Sequence, residues 1–277
     1  MKVEQLDSDK IYKMISAMNI AFGNKKGLSV ENGKITDFGV KRLTSQLMNL
    51  YDENRELRDD AFVAGVRKEI FDAIADISVF LYGGNHFIDR SLPDFTVSLE
   101  DEIIHFDGYT FKDKNDAQKY VSENSYSALN KQIDPIIKAV ENRDIESYHK
   151  YALELAKTLF VIFELFKKEE KHTMVYLNKL VNDSNLSKLC RNMEEVEKTL
   201  HFYRVKDVEV DFKDSELLQE DGKPFLIVYS TKDQFVHDKD IEGNFIYKEN
   251  GEPEIKEYRE NKFLKNTVWF EPDLSEF

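Results

Sequence analysis

One segment constrains the fold of this chain more than any other. Residues Ile70 to Leu81 are apolar on nearly every side, yet Asp72 and Asp76 interrupt them one helical turn apart. A helix that is hydrophobic all round is normally buried, so these two acids are expected to face an interior cleft rather than bulk water. Glu69 precedes Asp72 by one helical turn and shares its face. The segment therefore predicts a buried helix with an acidic face.

The helix before this segment carries a second acidic pair. It is predicted to begin with Asp37 as its N-cap and to run to about Arg58, with leucines repeating along one face. A polar stripe with helical spacing runs beside the leucines and consists of Gln46, Asn49, Glu53 and Glu56. The connection to the next helix contains Gly65 and allows the two helices to pack antiparallel, in which case four or five carboxylates converge.

Converging carboxylates have a physical cost that a metal ion removes. They repel one another and lose hydration on burial, which raises their pKa values or destabilises the fold by several kcal/mol. Ligands that are all carboxylate oxygens suit Mg²⁺, with Mn²⁺ as the other candidate. The alternative is a solvated acidic face, the ordinary interpretation of one E-x-x-E pair in a chain with 33% charged residues. The second pair, within an apolar helix, favours the metal site.

The composition limits the partners of the chain. Its 277 residues include 39 basic and 53 acidic side chains, which gives a formal net charge of −14. This charge repels a phosphate backbone or an anionic lipid surface, so we expect no nucleic-acid partner and no membrane partner. A phosphate-containing ligand would need a divalent cation to mediate its binding.

The sequence also indicates a cytoplasmic location. The first ten residues carry acids and no apolar run, so no secretory signal is expected, and no apolar stretch reaches the roughly 20 residues of a membrane span. Cys190 is the only cysteine, which excludes a disulfide within the chain. It is expected to be a buried residue rather than a nucleophile, and the six histidines show no metal-binding spacing.

Helical periodicity dominates to about residue 200, and a period of two follows. We therefore predict a mainly α fold, with residues 1–201 as a helical core and residues 202–277 as a small antiparallel β unit. Residues 85–125 mix short β-like runs with turns and predict a small hairpin before helical periodicity returns near Asn124. The other predicted elements are a helix from about Ala61 to Tyr82 that ends at Gly83 and Gly84, a helix over residues 173–189 with a polar break at 182–185, and strands at Phe95–Leu99, Ile103–Phe106, Val205–Phe212, Pro224–Ser230, Gly243–Lys248 and Val268–Phe270.

The two acidic helices together carry a resemblance. Residues Gln46 to Leu57, followed by Glu69 to Ile77, resemble the signature of the all-α NTP pyrophosphatase superfamily, which includes MazG, dimeric dUTPases, dCTP pyrophosphatases and phosphoribosyl-ATP pyrophosphohydrolase. The resemblance implies a MazG-like antiparallel helical bundle that holds Mg²⁺ on an E-x-x-E, spacer, E-x-x-D motif and assembles as a homo-oligomer, either a dimer or a tetramer. Residues 22–27, 184–188 and the C-terminal tail are similar to a bacteriophage branch labelled phosphoribosyl-ATP pyrophosphohydrolase-like, which implies the host cytoplasm. Residues 85–165 depart from the pattern and are interpreted as an insertion.

The resemblance implies an activity and a set of site residues. The activity is Mg²⁺-dependent hydrolysis of a nucleoside triphosphate between its α and β phosphates, which gives the monophosphate and pyrophosphate. The implied catalytic residues and metal ligands are Glu53, Glu56, Glu69 and Asp72, with Asp76 as a further ligand or as a carboxylate behind the ligands. The alternative role for one of the glutamates is to orient the attacking water as a general base. The implied substrate-binding residues are Asn24, Gln46, Asn49, Asn185 and Lys188, with Lys188 on phosphate and Asn185 on the sugar or base.

Two other functions remain open at this point. The long insertion suits a non-catalytic protein that uses the same helical scaffold to bind a nucleotide or a host protein. Within the enzyme class, the substrate is either a common nucleoside triphosphate or a derivative such as phosphoribosyl-ATP.

Overall fold

A computed structural model describes residues 2–99, 104–240, 242–248 and 250–277 of the chain. About half of the protein is helical, with seven α-helices in the described ranges and several two-stranded antiparallel sheets, so the predicted mainly α class is confirmed. The chain divides into two compact units. The first comprises Met1–Asn19, Asn24–Asn182 and Pro272–Phe277, and the second comprises Ile20–Gly23 and Asp183–Glu271.

The core of the first unit is built from long helices. Their bounds are Ser8–Ala21 for α1, Asp37–Glu56 for α2, Arg67–Phe87 for α3, Lys114–Glu141 for α4 and Ile145–Phe166 for α5. Helix α2 packs against α3 and α4, and α5 packs against α3 and α4. Residues 85–165, which the sequence analysis interpreted as an insertion, therefore supply α4 and α5 to the same helical core that contains the acidic helices.

The start of α2 and the chain after it differ in detail from the prediction. Thr36 rather than Asp37 is the N-cap, and its hydroxyl accepts a hydrogen bond from the Gly39 N–H at 3.0 Å. The helix ends at Glu56, and a seven-residue π-helix, Leu57–Val63, follows it. Gly65 has a φ of +73°, a left-handed conformation that glycine adopts without strain, and it turns the chain toward α3.

The prediction that Gly83 and Gly84 end the third helix is wrong. Helix α3 starts later than predicted, at Arg67, and continues through both glycines to Phe87. A Cβ atom added at Gly84 would lie 2.1 Å from the Tyr148 hydroxyl on α5. Glycine is therefore required here because α3 and α5 approach closely, and not because the helix has to stop.

Short strands join the N-terminus and the middle of the first unit. Strand β1, Lys2–Leu6, pairs antiparallel with β4, Phe95–Leu99, so the predicted strand at 95–99 is confirmed, although its partner was missed. Strands β2 (Val30–Glu31) and β3 (Lys34–Ile35) form a short hairpin, and β5 (Ile104–Phe106) and β6 (Tyr109–Phe111) form the predicted hairpin. Ile103 of the predicted strand lies outside the described residues.

Helix α4 begins ten residues before the predicted position because Asp113 caps it through the Asn115 N–H at 2.6 Å.

The second unit combines a helix with small sheets. Helix α6 (Met174–Leu186) leads into it without the predicted polar break, and α7 (Met193–Val205) follows. Strand β7 (Val210–Leu218) pairs with β8 (Pro224–Ser230), and β9 (Gln234–His237) pairs with β10 (Ile255–Tyr258). The sequence division at 201/202 grouped α7 with the helical core, whereas α7 lies in the second unit.

Three of the predicted C-terminal strands are wrong in position, and one is confirmed. Pro224–Ser230 is a strand as predicted. The Val205–Phe212 prediction overlaps the end of α7, because Val196, Leu200 and Tyr203 bury a helical face in the core of this unit. Residues 243–248 form only isolated bridges, and residues 268–270 form no strand.

Cys190 is buried, as the sequence analysis predicted, and no helix has the length and apolar character of a membrane span in the described ranges. Cys190 is fully buried in the core of the second unit, and burial raises the pKa of its thiol to about 11, so the group stays protonated near neutral pH. None of the helices in the described ranges combines the length and the apolar character that a membrane span needs.

The close approach at Gly84 gives the first prediction. Gly84→Ala should lower the free energy of unfolding by about 2 kcal/mol, because the added methyl group overlaps the Tyr148 hydroxyl. In a Tyr148→Phe background the same substitution should cost clearly less, since the hydroxyl is the atom in conflict. Urea denaturation of the four proteins measures this coupling. Equal costs of Gly84→Ala in both backgrounds would contradict the packing explanation.

Candidate functional site

The acidic side chains of α2 and α3 influence one another where the two helices pack. Glu53 and Glu56 lie in the last turns of α2, and Asp72 and Asp76 lie on α3. The charges of Asp76, Glu56 and Asp72 all act on Glu53. The structure therefore brings four of the five predicted carboxylates into one electrostatic cluster, which we call the carboxylate cluster.

Glu53 is the most strongly perturbed member of this cluster. Burial, followed by the charges of Asp76, Glu56 and Asp72 in that order of strength, raises the pKa of the Glu53 carboxyl to about 8. No positively charged side chain is among the leading causes of this raised pKa. In the absence of a bound cation, Glu53 therefore carries a proton at neutral pH.

Glu56 has the same kind of environment to a lesser degree. Glu56 is exposed by surface area, but partial desolvation by the surrounding protein is still the largest cause that raises its pKa, followed by the charges of Asp60 and Asp72, while Arg55 lowers it. Asp60 lies in the π-helix that follows α2, in the segment that the sequence analysis treated as the connection between the two acidic helices. Asp60 lies one turn after Glu56, but the helix was predicted to end near Arg58, so the two acids were not predicted to share a helical face.

Glu69 has a different setting from the other four predicted ligands. It lies in the first turn of α3, and its carboxylate is 3.4 Å from the Lys68 ammonium. It is not among the leading charges that act on Glu53 or Glu56, whereas Asp76 is the leading charge on Glu53. In this arrangement Asp76 takes the place beside Glu53 that the E-x-x-D pattern implied for Glu69.

The donor set of the carboxylate cluster matches the chemistry of a hard cation. Every member is a carboxylate, and oxygen-only ligands are what Mg²⁺ and Mn²⁺ bind in proteins. Within the described ranges, no three Asp, Glu, His or Cys side chains are grouped closely enough to hold a metal as they stand. The fit therefore depends on the donor chemistry and on the mutual repulsion that a cation would relieve.

Asn54, which the sequence analysis missed, links the last turns of α2 to α4. Its side chain is fully buried and donates to the Tyr126 carbonyl at 3.0 Å and to Asn130 Oδ1 at 2.8 Å, both on α4. Buried amides that are hydrogen-bonded in this way fix the rotation of a helix. The polar link between α2 and α4 therefore holds the turn that carries Glu53 and Glu56.

The predicted substrate-binding residues of the first unit have unequal settings. Gln46 and Asn49 are half-buried on α2, and Gln46 lies against Gly83 of α3. Asn24 is engaged structurally: its side chain accepts a hydrogen bond from the Arg42 guanidinium and donates to Asn19 Oδ1 at 3.2 Å. These contacts give Asn24 a role in fixing the loop after α1.

Asn185 and Lys188 belong to the second unit. Lys188 follows the end of α6, and its ammonium donates to Asn185 Oδ1 at 2.5 Å. Lys188 also lines a cavity within that unit, together with four further lysines that the sequence analysis did not single out for any role in binding.

The perturbed pKa of Glu53 predicts a specific pH dependence of stability. Unfolded Glu53 ionises near pH 4.5 and folded Glu53 near pH 8, so wild-type stability falls as the pH rises between these values. Glu53→Gln removes that loss. In EDTA the variant should therefore gain stability relative to wild type as the pH rises from about 4.5 to 8, by on the order of 2 kcal/mol, a value discounted because the side chain is partly exposed.

Denaturant unfolding at several pH values in EDTA measures this gain. Asp59→Asn is the matched control, because Asp59 is exposed and its hydrogen bond with Arg58 lowers its pKa instead. Mg²⁺ should stabilise wild type more than Glu53→Gln. If the free energies of unfolding of wild type and Glu53→Gln change in parallel with pH, the pKa of Glu53 is not raised in the folded protein and the prediction is wrong.

Comparisons of the chain with protein-family models, with curated proteins and with solved structures find no match. The resemblance to the all-α NTP pyrophosphatases therefore stays a prediction from the sequence. The function has to be argued from the chemistry of the carboxylate cluster.

Proposed function

We propose that the protein is a Mg²⁺-dependent nucleoside triphosphate pyrophosphohydrolase, which cleaves the α–β phosphoanhydride and releases a nucleoside monophosphate and pyrophosphate. The observation that carries the proposal is the position of Glu53, a half-buried carboxyl near the negative charges of Asp76, Glu56 and Asp72. Stability alone does not explain such a cluster, because the mutual repulsion of like charges opposes folding. A cation-binding function does explain it.

The carboxylates of this chain would hold the cation from two helices. Glu53 and Glu56 would bind from α2, and Asp72 and Asp76 from α3, with Glu69 as a further candidate at the start of α3. Bound Mg²⁺ would supply charge neutralisation for the triphosphate and for the pyrophosphate that leaves. The rigid backbone of two packed helices would preserve the spacing of the carboxylates through the reaction.

Proton transfer from the attacking water requires a base among the same residues. Glu53 and Glu56 are the two candidates, since burial and carboxylate neighbours raise the pKa of both toward the range in which a general base works at neutral pH. The two differ in what surrounds them, because Arg55 lowers the pKa of Glu56 and no cation is among the leading influences on Glu53.

The net charge of −14 makes the cation a condition of substrate binding in this proposal. A free triphosphate would be repelled by the carboxylate cluster, whereas a Mg²⁺ ion bound there would bridge the carboxylates and the phosphate oxygens. Activity should therefore be absent in EDTA and return with Mg²⁺ or Mn²⁺.

A substrate panel tests the proposal. We expect wild type to release pyrophosphate from at least one of the common NTPs or dNTPs when Mg²⁺ or Mn²⁺ is present. Asp72→Asn and Glu53→Gln should each lower kcat by at least about 100-fold, because loss of even an outer partner of a metal ligand costs roughly 10–100-fold. Asp59→Asn, which alters an exposed acid outside the cluster, should retain activity close to wild type.

Three outcomes would oppose the proposal in different ways. No pyrophosphate release from any nucleotide, phosphoribosyl-ATP included, would reject the enzymatic function. Tight nucleotide binding without turnover would instead support the non-catalytic binding protein that the sequence analysis left open. Equal activity of wild type and Asp72→Asn would move the chemistry away from the carboxylate cluster.

A further inference from the structure

The second unit contains a cavity whose charge is opposite to that of the whole protein. Its volume is about 610 Å³, within the range of small-molecule sites. No Asp or Glu is among the described residues that line it. Its lining instead includes five lysines, namely Lys188, Lys206, Lys256, Lys262 and Lys265, and we call this cavity the lysine pocket.

A buried carboxylate behind the pocket holds two of these lysines in place. Asp238 is 1% exposed and receives hydrogen bonds from Lys206 Nζ at 2.9 Å and from Lys256 Nζ at 2.6 Å. Asp238 carries one negative charge and the two lysines carry two positive charges, so the group has a net positive charge. Their positions are fixed before any ligand arrives, which reduces the entropy lost on binding.

Hydrogen bonds also fix the wall that carries Lys265. The Tyr203 hydroxyl donates to the Lys265 carbonyl at 3.3 Å and accepts from the Lys265 N–H at 3.1 Å. The buried Asn266 side chain donates to the Leu189 carbonyl and to Glu195 Oε2, both at 3.1 Å. Residues 264–267 have no regular secondary structure, and these side-chain contacts hold the segment in shape together with the hydrogen bond from the Leu264 N–H to the Val228 carbonyl at 2.9 Å.

Aromatic rings lie beside the positive charges. The Lys265 ammonium is 3.5 Å from the centre of the Trp269 ring, and the Lys206 ammonium is 4.9 Å from the centre of the Phe202 ring. The indole nitrogen of Trp269 is buried and has no hydrogen-bond partner among the described residues. An N–H group in this state gains free energy when an acceptor reaches it.

We propose that the lysine pocket binds a mononucleotide with more than one phosphate, whose phosphates contact the lysines and whose base packs on the aromatic rings. A multiply charged anion matches several ammonium groups, and a flat heterocycle matches the rings. The pocket lies entirely within the second unit, so the proposal does not depend on the carboxylate cluster or on hydrolysis.

Trp269 provides a direct readout, because it is the only tryptophan in the chain and lines the pocket. The full-length protein would be titrated in EDTA with ATP, GTP, CTP and UTP while tryptophan fluorescence and calorimetric heat are recorded. EDTA removes any cation-dependent binding at the carboxylate cluster. We expect saturable fluorescence changes with at least one nucleotide and weaker binding of adenosine and of inorganic tripolyphosphate, because each of these offers only half of the ligand.

Substitutions then locate the site. Lys262→Gln and Lys265→Gln should each weaken nucleotide binding by about tenfold, the loss expected when one charge-assisted contact of roughly 1.4 kcal/mol is removed. Lys248→Gln is the matched control, since Lys248 is an exposed lysine of the same unit outside the pocket, and its affinity should equal that of wild type. Circular dichroism would verify that each variant is folded.

Several results would overturn the proposal. These are the absence of any signal at millimolar nucleotide, equal affinity in wild type and both pocket variants, tripolyphosphate binding as tightly as a nucleotide, and a short single-stranded oligonucleotide binding more tightly than any mononucleotide. Asp72→Asn should bind nucleotide in EDTA as wild type does. The failure of this proposal is thereby distinguishable from the failure of the proposed hydrolysis.

Discussion

Mutual repulsion among the carboxylates of α2 and α3 is the constraint on which the rest of the first unit depends. Burial and the charges of Asp76, Glu56 and Asp72 all disfavour the ionised form of Glu53. The apolar faces of the same helices must supply enough packing free energy to keep these groups together. Leu43, Leu47, Phe71 and Ile74 are fully or almost fully buried, and they make that contribution.

The helices can hold such groups close only if they cannot slide or rotate. Two contacts act against this motion. Gly84 lets α3 approach Tyr148 of α5 so closely that any side chain would clash, and Asn54 locks α2 to α4 through two hydrogen bonds. Helices α4 and α5 come from the stretch that was interpreted as an insertion. A segment outside the recognisable motif therefore determines the geometry of the motif.

The sequence predicted what depends on local periodicity and missed what depends on distant partners. The acidic faces of α2 and α3 follow from i, i+3 and i+4 spacing, and the mainly α class follows from the same signal. The Gly83–Gly84 pair was read as a helix end because the partner that explains it, Tyr148, is distant in sequence. The β1 strand was missed for the same reason, since its partner is β4.

The lysine pocket shows the limit of local reasoning most clearly. Its five lysines are spread from residue 188 to residue 265 and follow no common helical or strand repeat, since only Lys262 and Lys265 lie three residues apart. Net charge was equally uninformative, because a formal charge of −14 describes a sum and not a distribution. The same chain gathers carboxylates in one unit and ammonium groups in the other, so each unit has a local charge that would select its own ligand. A phosphate compound would need a cation at the carboxylate cluster and none at the lysine pocket, and this difference makes metal dependence the property that separates the two sites.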